Sequence, residues 1–290
     1  MTYGLNPRTI VAIMGGDVTG RDSCNVPGPG HSRQDRSLAI RITRGGFVVH
    51  SFTNDDWRDC RDYVRSKLGL SDDWQSDKAP PPDTTGDDLE RRKKLALKVW
   101  SDCIDPRGTL AERYLREHRG LHLPDSTAYS VIRFHAGLRY DIGKYLPAMV
   151  CLFRDIKTNE PCGIHRTFLD GYTGKKIDRK MLGIAKGAAI KLDVEPSSAL
   201  TIGEGVETVL AACAAGFTPA WALGSSGAVR CFPVLKNLRE LTILQENDPT
   251  SRRDVKTCAR RYLGVRRPVS IVEPKIGNDF NDCWKARGDE

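Results

Sequence analysis

The sequence predicts an α/β protein: a parallel sheet flanked by helices, preceded by a helical and basic β segment and by a small α+β N-terminal module. Three observations predict it. From residue 198 apolar runs of strand length alternate with stretches of helical period, the pattern of a parallel sheet with helices on both faces. Before that, the apolar runs are short and broken by Gly, Asn and Asp, as in antiparallel structure. Three consecutive prolines at 80–82 interrupt any helix or ladder. The expected division is residues 1–70 for the module, 71–88 for a linker, 89–197 for the helical and basic β segment and 198–290 for the parallel sheet.

In the module, "SLAIRITRGGFVVHSF" alternates apolar and polar residues about Gly45-Gly46 and predicts a β-hairpin. "DDWRDCRDYVRSKLGL" predicts a helix capped by Asp55 or Asp56, with Trp57, Cys60, Val64 and Leu68 on one face; Phe52 and Val48 are expected to join Trp57 in a small core. After "SDDWQSDKAPPPDTTGDD", the stretches "DDLERRKKLALKVWSDC" and "GTLAERYLREHRGL" predict two helices broken at Asp105-Pro106-Arg107-Gly108, arranged as a helical hairpin. "AMVCLFRDI", "PCGIHRTFLD" and "AAIKLDVEP" read as antiparallel strands, and the order that follows is strand "SALTIG", helix "VETVLAACAAG", strands "PAWAL" and "LTILQ", helix "RRDVKTCARRYLG" and strand "PVSIVEP".

Composition narrows the setting. With 45 Lys and Arg against 37 Asp and Glu, a net charge of +8, the chain favours an anionic partner, nucleic acid first. Nine scattered cysteines without a repeated Cys-x-x-Cys are not a secreted disulfide framework, so a reducing cytoplasm is expected. No apolar run approaches the roughly 18 residues of a membrane helix.

In an open parallel sheet, functional groups collect at the C-terminal ends of the strands. Three acidic clusters fall there: Glu204 after "ALTIG", Glu246 and Asp248 after "LTILQ", and Asp279 and Asp282 in "GNDFND" after "SIVEP". Converging carboxylates repel one another, and a divalent cation resolves the conflict. Oxygen ligands without nearby His or Cys favour Mg²⁺ or Mn²⁺ over Zn²⁺, and a hard ion held so handles phosphate groups. Taken singly, Glu204 could serve a helix dipole, Asp248 a turn and Asp279 an Asx-turn.

The ordered set resembles the Toprim superfamily. "TIGEGVETVLAACAAG" is similar to its first motif, "LTILQENDPTSRRDVKTCARRY" to its second, "WALGSSGA" to the small-residue turn between them, and "GNDFND" to the downstream acidic motif of its primase members. The resemblance covers about residues 198–285 and implies Mg²⁺-dependent chemistry on phosphodiesters. It assigns Glu204 as the acid/base or metal-associated residue and Glu246 and Asp248, with Asp279, as metal ligands. The chain departs from the pattern in having Glu-x-Asp for Asp-x-Asp, and Asn278 where primase relatives often have lysine.

"VPGPGHSRQDRSLAIRITRGGFVVHSFTNDDWRDCRDYV" resembles the primase zinc-binding domain. Aligned through His31, its ligand positions fall on Gly28 and near Ser51 and Asp55, so three of four ligands are missing and no zinc is expected. A rescue site from Cys24, His31, His50 and Cys60 is the alternative. Arg33, Arg36 and Arg41 of this module would be available to phosphates. In "GIHRTFLDGYTGKKIDRKMLGIAKGAAIKL", the candidates for phosphate or nucleotide binding are Arg166, Arg179, Lys180 and Lys186, with Lys175 and Lys176 read as solvated turn charges.

The expected function is that of a primase-like protein joining ribonucleotides on single-stranded DNA with Mg²⁺, using nucleoside triphosphates. A helicase would be a separate chain, because no GxxxxGK[ST] loop is present. The alternatives are a Toprim nuclease and a non-catalytic DNA-binding adaptor.

Overall fold

The computed structural model describes residues 5–43, 46–53, 55–70, 86–141, 143–193 and 198–287. The chain divides into two compact units, Met1–Thr85 and Gly86–Glu290. Residues 71–85, most of the expected linker, lie outside the described residues.

The first unit opens with α1 (Pro7–Met14), which starts where the Asn6 side chain accepts from Thr9 N at 2.9 Å and Pro7 supplies its fixed φ. An antiparallel sheet follows in the order β1 (Asp17–Val18), β2 (Ser23–Val26), β3 (Leu38–Thr43) and β4 (Gly46–Ser51). The expected hairpin is β3–β4, paired from Leu38↔Ser51 to Thr43↔Gly46; residues 44 and 45 of its turn lie outside the described residues. Asp56 caps α2 (Trp57–Leu68), which ends at left-handed Gly69. The core differs from the expected one. It is built from Ile10, Met14, Val26, Leu38, Ile40, Phe47, Cys60 and Val64, whereas Trp57 and Phe52 are 49% and 55% exposed and Val48 is half-buried. Ile10 and Met14 of α1 join Cys60 and Val64 of α2 in that core, and Arg58 and Arg61 sit over the Trp57 ring.

The alternative zinc set does not assemble among the described residues. Cys24 and Cys60 are fully buried in the apolar core, where desolvation pushes both thiols up to about 11, and His50 packs edge-on against Phe52. The positions aligned with zinc ligands instead carry hydrogen bonds. His31 Nδ1 lies 2.8 Å from Asp35 Oδ2 and its Nε2 lies 3.6 Å from Asp55 Oδ2, while Asp55 Oδ2 accepts from Ser51 Oγ at 2.9 Å and Thr53 Oγ1 at 2.7 Å. One imidazole with hydroxyls and carboxylates, and no thiolate, does not fit a structural zinc. We expect Asp55→Ala to destabilise this unit by about 1–3 kcal/mol, because two hydroxyls lose their acceptor, and EDTA to leave its melting unchanged. A chelator-dependent melting shift would show that a metal contributes.

The second unit is organised by one nine-stranded sheet. Its strands are β5 (Ile132–Asp141), β6 (Lys144–Asp155), β7 (Pro161–Leu169), β8 (Lys176–Gly183), β9 (Ala188–Lys191), β10 (Ala199–Gly203), β11 (Ala220–Ala222), β12 (Glu240–Leu244) and β13 (Val269–Val272). The order runs β13-β12-β10-β11-β9-β6-β7-β8, with β5 also on β6. β13, β12, β10 and β11 are parallel, and β9 joins them to the antiparallel strands by pairing antiparallel to both β11 and β6.

Alternation along β6 decides where the two helices before it go. Ala148, Val150 and Leu152 pack with Ala96 of α3 (Gly86–Ser101), whereas Met149, Cys151 and Phe153 pack with Ala111, Tyr114 and Leu115 of α4 (Leu110–Arg113) and the wider π turn that continues it, Tyr114–His118. The two therefore lie on opposite faces of the sheet, not as the expected helical hairpin. Gly108, at φ +72°, and the Thr109 cap restart the chain on the second face.

In the parallel part, α5 (Val206–Ala214) and α8 (Phe280–Ala286) pack on one face, and α6 (Ser226–Arg230) and α7 (Pro249–Leu263) on the other. From β10 the chain runs to β11 on one side and then returns past β10 to β12 on its other side. The C-terminal end of β10 is thus the point where the winding reverses, where an open α/β sheet leaves a crevice.

Candidate active site

Glu204 is the residue immediately after β10, at that reversal. Its backbone is fixed on both sides: Gly224 N donates to Glu204 O at 2.8 Å, and Gly205 is the extended N-cap of α5. Gly203 is required beneath it, because a Cβ there would stand 2.8 Å from Val209 Cγ2 and 3.1 Å from Leu244 Cδ1. The side chain is only 8% exposed, and its Oε1 has no hydrogen-bond partner.

The neighbouring parallel strand brings the next two acids. Glu246 and Asp248 follow β12, and one carboxylate oxygen from each of Glu204, Glu246 and Asp248 lies within 4.8 Å of the others. Asp248 also caps α7, its Oδ1 accepting from Thr250 N at 2.8 Å and Ser251 N at 3.0 Å. Fully buried Ser251 accepts from Glu246 N at 3.0 Å, so the helix start and the strand end are locked together.

Burial and mutual repulsion raise both glutamates. Glu204 is pushed up to about 7, chiefly by desolvation and then by the charge of Asp248, with Ser251 and Arg179 opposing. Glu246 rises to about 8, by desolvation and then by Glu204 and Asp279. Three oxygen donors at this spacing, one of them buried without a partner, fit a hard divalent cation. Among the described residues no other group of His, Cys, Asp and Glu meets the geometry of a metal site.

The remaining expected residues are distributed unevenly. Asp279 is outside the converging trio: its Oδ1 accepts from Asp282 N at 3.0 Å in the capping box of α8, and it reaches Glu246 through charge. Arg179 lies opposite Thr167 on β7, and its charge acts on both raised glutamates. Arg166 and Lys180 are directly opposite each other and point to the other face, toward α3. There burial holds the Arg166 guanidinium down to about 10 as it donates to Met181 O, while Lys180 Nζ sits 4.0 Å over the Tyr140 ring and donates to Tyr140 O. Lys186 is exposed between β8 and β9. In the first unit Arg36 is tied to Asp17 at 2.7 Å, and Arg33 is exposed. Lys176 opens β8 instead of lying in a turn, and although the residue is exposed, desolvation of its ammonium lowers its pKa against the pull of Glu207.

The residues that sequence reading missed surround Glu207, three positions beyond Glu204 in the first turn of α5. Tyr114 OH donates to Glu207 Oε1 at 2.7 Å and accepts from Arg119 Nε at 2.8 Å. Glu207 stays below the usual carboxylate range because Tyr114, Lys176 and His165 outweigh its desolvation. Buried His165 is pushed down to about 4, mainly by desolvation, with Glu207 opposing. The Glu204–Glu207 spacing was the available signal; their partners on distant elements left none.

Residues 199–290 match the Toprim domain family, and residues 90–192 match a family described only as a domain of unknown function. No curated protein matches the chain. Similar solved structures include the zinc-binding and RNA polymerase domains of Aquifex aeolicus primase, 14% identical over 97% of this chain and 79% of that one, with a TM-score of 0.43. A DNA primase domain from Pseudomonas aeruginosa is 14% identical over 67% and 74%, at 0.47, and the primase fragment of the bacteriophage T7 primase-helicase is 13% identical over 91% and 95%, at 0.42.

Proposed function

Because residues 199–290 are a Toprim domain, we propose that the chain is a primase-like nucleotidyltransferase, acting in the cytoplasm on single-stranded DNA with nucleoside triphosphates. One observation carries the reading: the three carboxylates of Glu204, Glu246 and Asp248 converge within 4.8 Å at the reversal point of a parallel sheet. Glu204, Glu246 and Asp248 would hold Mg²⁺ or Mn²⁺, which when bound supplies positive charge to phosphate oxygens and makes a hydroxyl more acidic.

The chain's own groups supply the rest. Glu204, buried and with one oxygen free of any hydrogen-bond partner, accepts the proton that the 3′-hydroxyl loses as its oxygen bonds the α-phosphorus and pyrophosphate leaves. Arg179, whose charge reaches both raised glutamates, offsets negative charge as the triphosphate approaches. Asp248 is held by its capping bonds, and the Arg119–Tyr114–Glu207 chain ties the first turn of α5, next to Glu204, to the segment 114–119. A separate helicase would open the template. No helix of the described residues is long and apolar enough to cross a membrane.

The test is a denaturing gel of purified protein with end-labelled single-stranded DNA, labelled ribonucleotides and Mg²⁺ or Mn²⁺. New short labelled oligomers are the expected product. Shortened DNA without oligomers would replace this reading with hydrolysis by the same acids, and intact DNA with binding alone would leave an adaptor.

A further inference from the structure

At the end of β12 and β13 remote from the acids, an open cleft of about 610 Å³ is lined by four cations, Lys236, Arg239, Arg266 and Arg267, and by no acid. Arg267 is structural: its two terminal nitrogens donate to the carbonyls of Leu235 and Lys236, which holds the two loops of the cleft together. Lys236, Arg239 and Arg266 make no ion pair or hydrogen bond through their side chains among the described residues; Arg266 is held with positive φ at +56°. Glu240, beside Arg239, pairs with none of them.

A second row of charge leads from the acidic site to this cleft. α7 begins at Asp248 and ends at the loop bearing Arg266, about 22 Å at 1.5 Å per residue. Its buried face is Ser251, Asp254, Val255, Cys258, Ala259 and Tyr262. The opposite face carries Arg252, Lys256 and Arg260 at intervals of four, all exposed, with no acid on it; Asp254 is buried, paired with Arg253 and Arg230. Cations grouped this closely without acids repel one another, and a polyanion relieves that repulsion. The cleft holds no aromatic ring for base stacking, so its chemistry suits a backbone of phosphates and not a read sequence.

The geometry points to a phosphodiester track: a single nucleic-acid strand lies along the outer face of α7, from the Asp248 end to the Lys236–Arg239–Arg266 cleft. The assignment builds on the proposed action on single-stranded DNA, yet it stands on residues outside the acidic site. Binding of a labelled oligothymidylate to the full chain in EDTA, across a salt series, tests it. Lys236→Gln/Arg239→Gln/Arg266→Gln should weaken binding at least tenfold at low salt and reduce the slope of log K against log salt by about 2, at roughly 0.7 per phosphate contact. Lys256→Gln/Arg260→Gln should lower the slope by about 1.4. These are surface changes, and unchanged melting would verify the fold.

Unaltered affinity and slope in both variants would overturn the track, as would full displacement of the oligonucleotide by inorganic phosphate at constant ionic strength. Failure of primer synthesis is read separately. If no oligomers form while these variants lose binding, the track survives and the chemistry does not; oligomers formed by variants that bind normally give the reverse.

Discussion

Replacing Glu204 with Gln will lower the Mg²⁺-dependent reaction by roughly a hundred- to ten-thousand-fold, the usual range for removing a positioned acid or base. The same change will leave the melting temperature of the metal-free protein unchanged at acid pH and raise it above neutrality. The reason for both effects is the same carboxylate. It is buried, has an oxygen without a partner, and is pressed by Asp248 and Glu246, so its ionised form is a burden on the fold. Glutamine keeps the shape and removes the charge. Measured together, single-turnover rates and melting curves separate this from simple misfolding: a variant that lost activity and also melted lower at every pH would refute the assignment.

The second large effect is on stability against pH. The folded-state pKa values of Glu204, about 7, and Glu246, about 8, lie above the 4.5 of a free glutamate. In that interval the folded chain keeps protons that the unfolded chain has released, so the contribution is whole below 4.5 and disappears as pH rises through 7 and 8. His165 works in the opposite sense, adding stability as pH climbs from about 4 to 6.5. The two glutamates act without opposition from His165 between about pH 6.5 and about 8, and over that window the metal-free protein should melt progressively lower. Millimolar Mg²⁺ should reverse the loss at the upper end and do little at the lower, because the cation competes with protons for the same oxygens. A cation-induced shift in melting that is equal at both ends of the window would exclude these carboxylates as its ligands.

Much of the site was legible before any coordinates. Parallel strands are buried on both faces, so "ALTIG" and "LTIL" stand out as apolar runs, and the acids that follow them are forced to the strand ends by chain direction alone. What could not be read was which face a residue occupies. Arg166, Arg179 and Lys180 look alike in a basic segment, but the register Arg166↔Lys180 and Thr167↔Arg179 turns one of the three toward the acids and two away. The same limit explains the helices on either side of Asp105: periodicity marks each as amphipathic without stating which side of the sheet receives it. Tyr114 was hidden for another reason, since its partner Glu207 is 93 residues away.

The pairing of β9 with β11 has a meaning for how such a chain could change over time. The stretch matching the domain of unknown function and the Toprim domain meet through strand hydrogen bonds, Trp221↔Lys191 and Ala222↔Ile190, and through one shared apolar core that holds Tyr114, Leu115 and Met149 with Val206, Val209 and Leu210. Such a seam demands matched register and strand direction from whatever lies across it, and complementary side chains on the core face as well. Exchanging either half for a foreign module would therefore require an incoming edge strand of the right polarity and length together with a matching apolar face, and a cut at the seam would leave an unpaired ladder open to association.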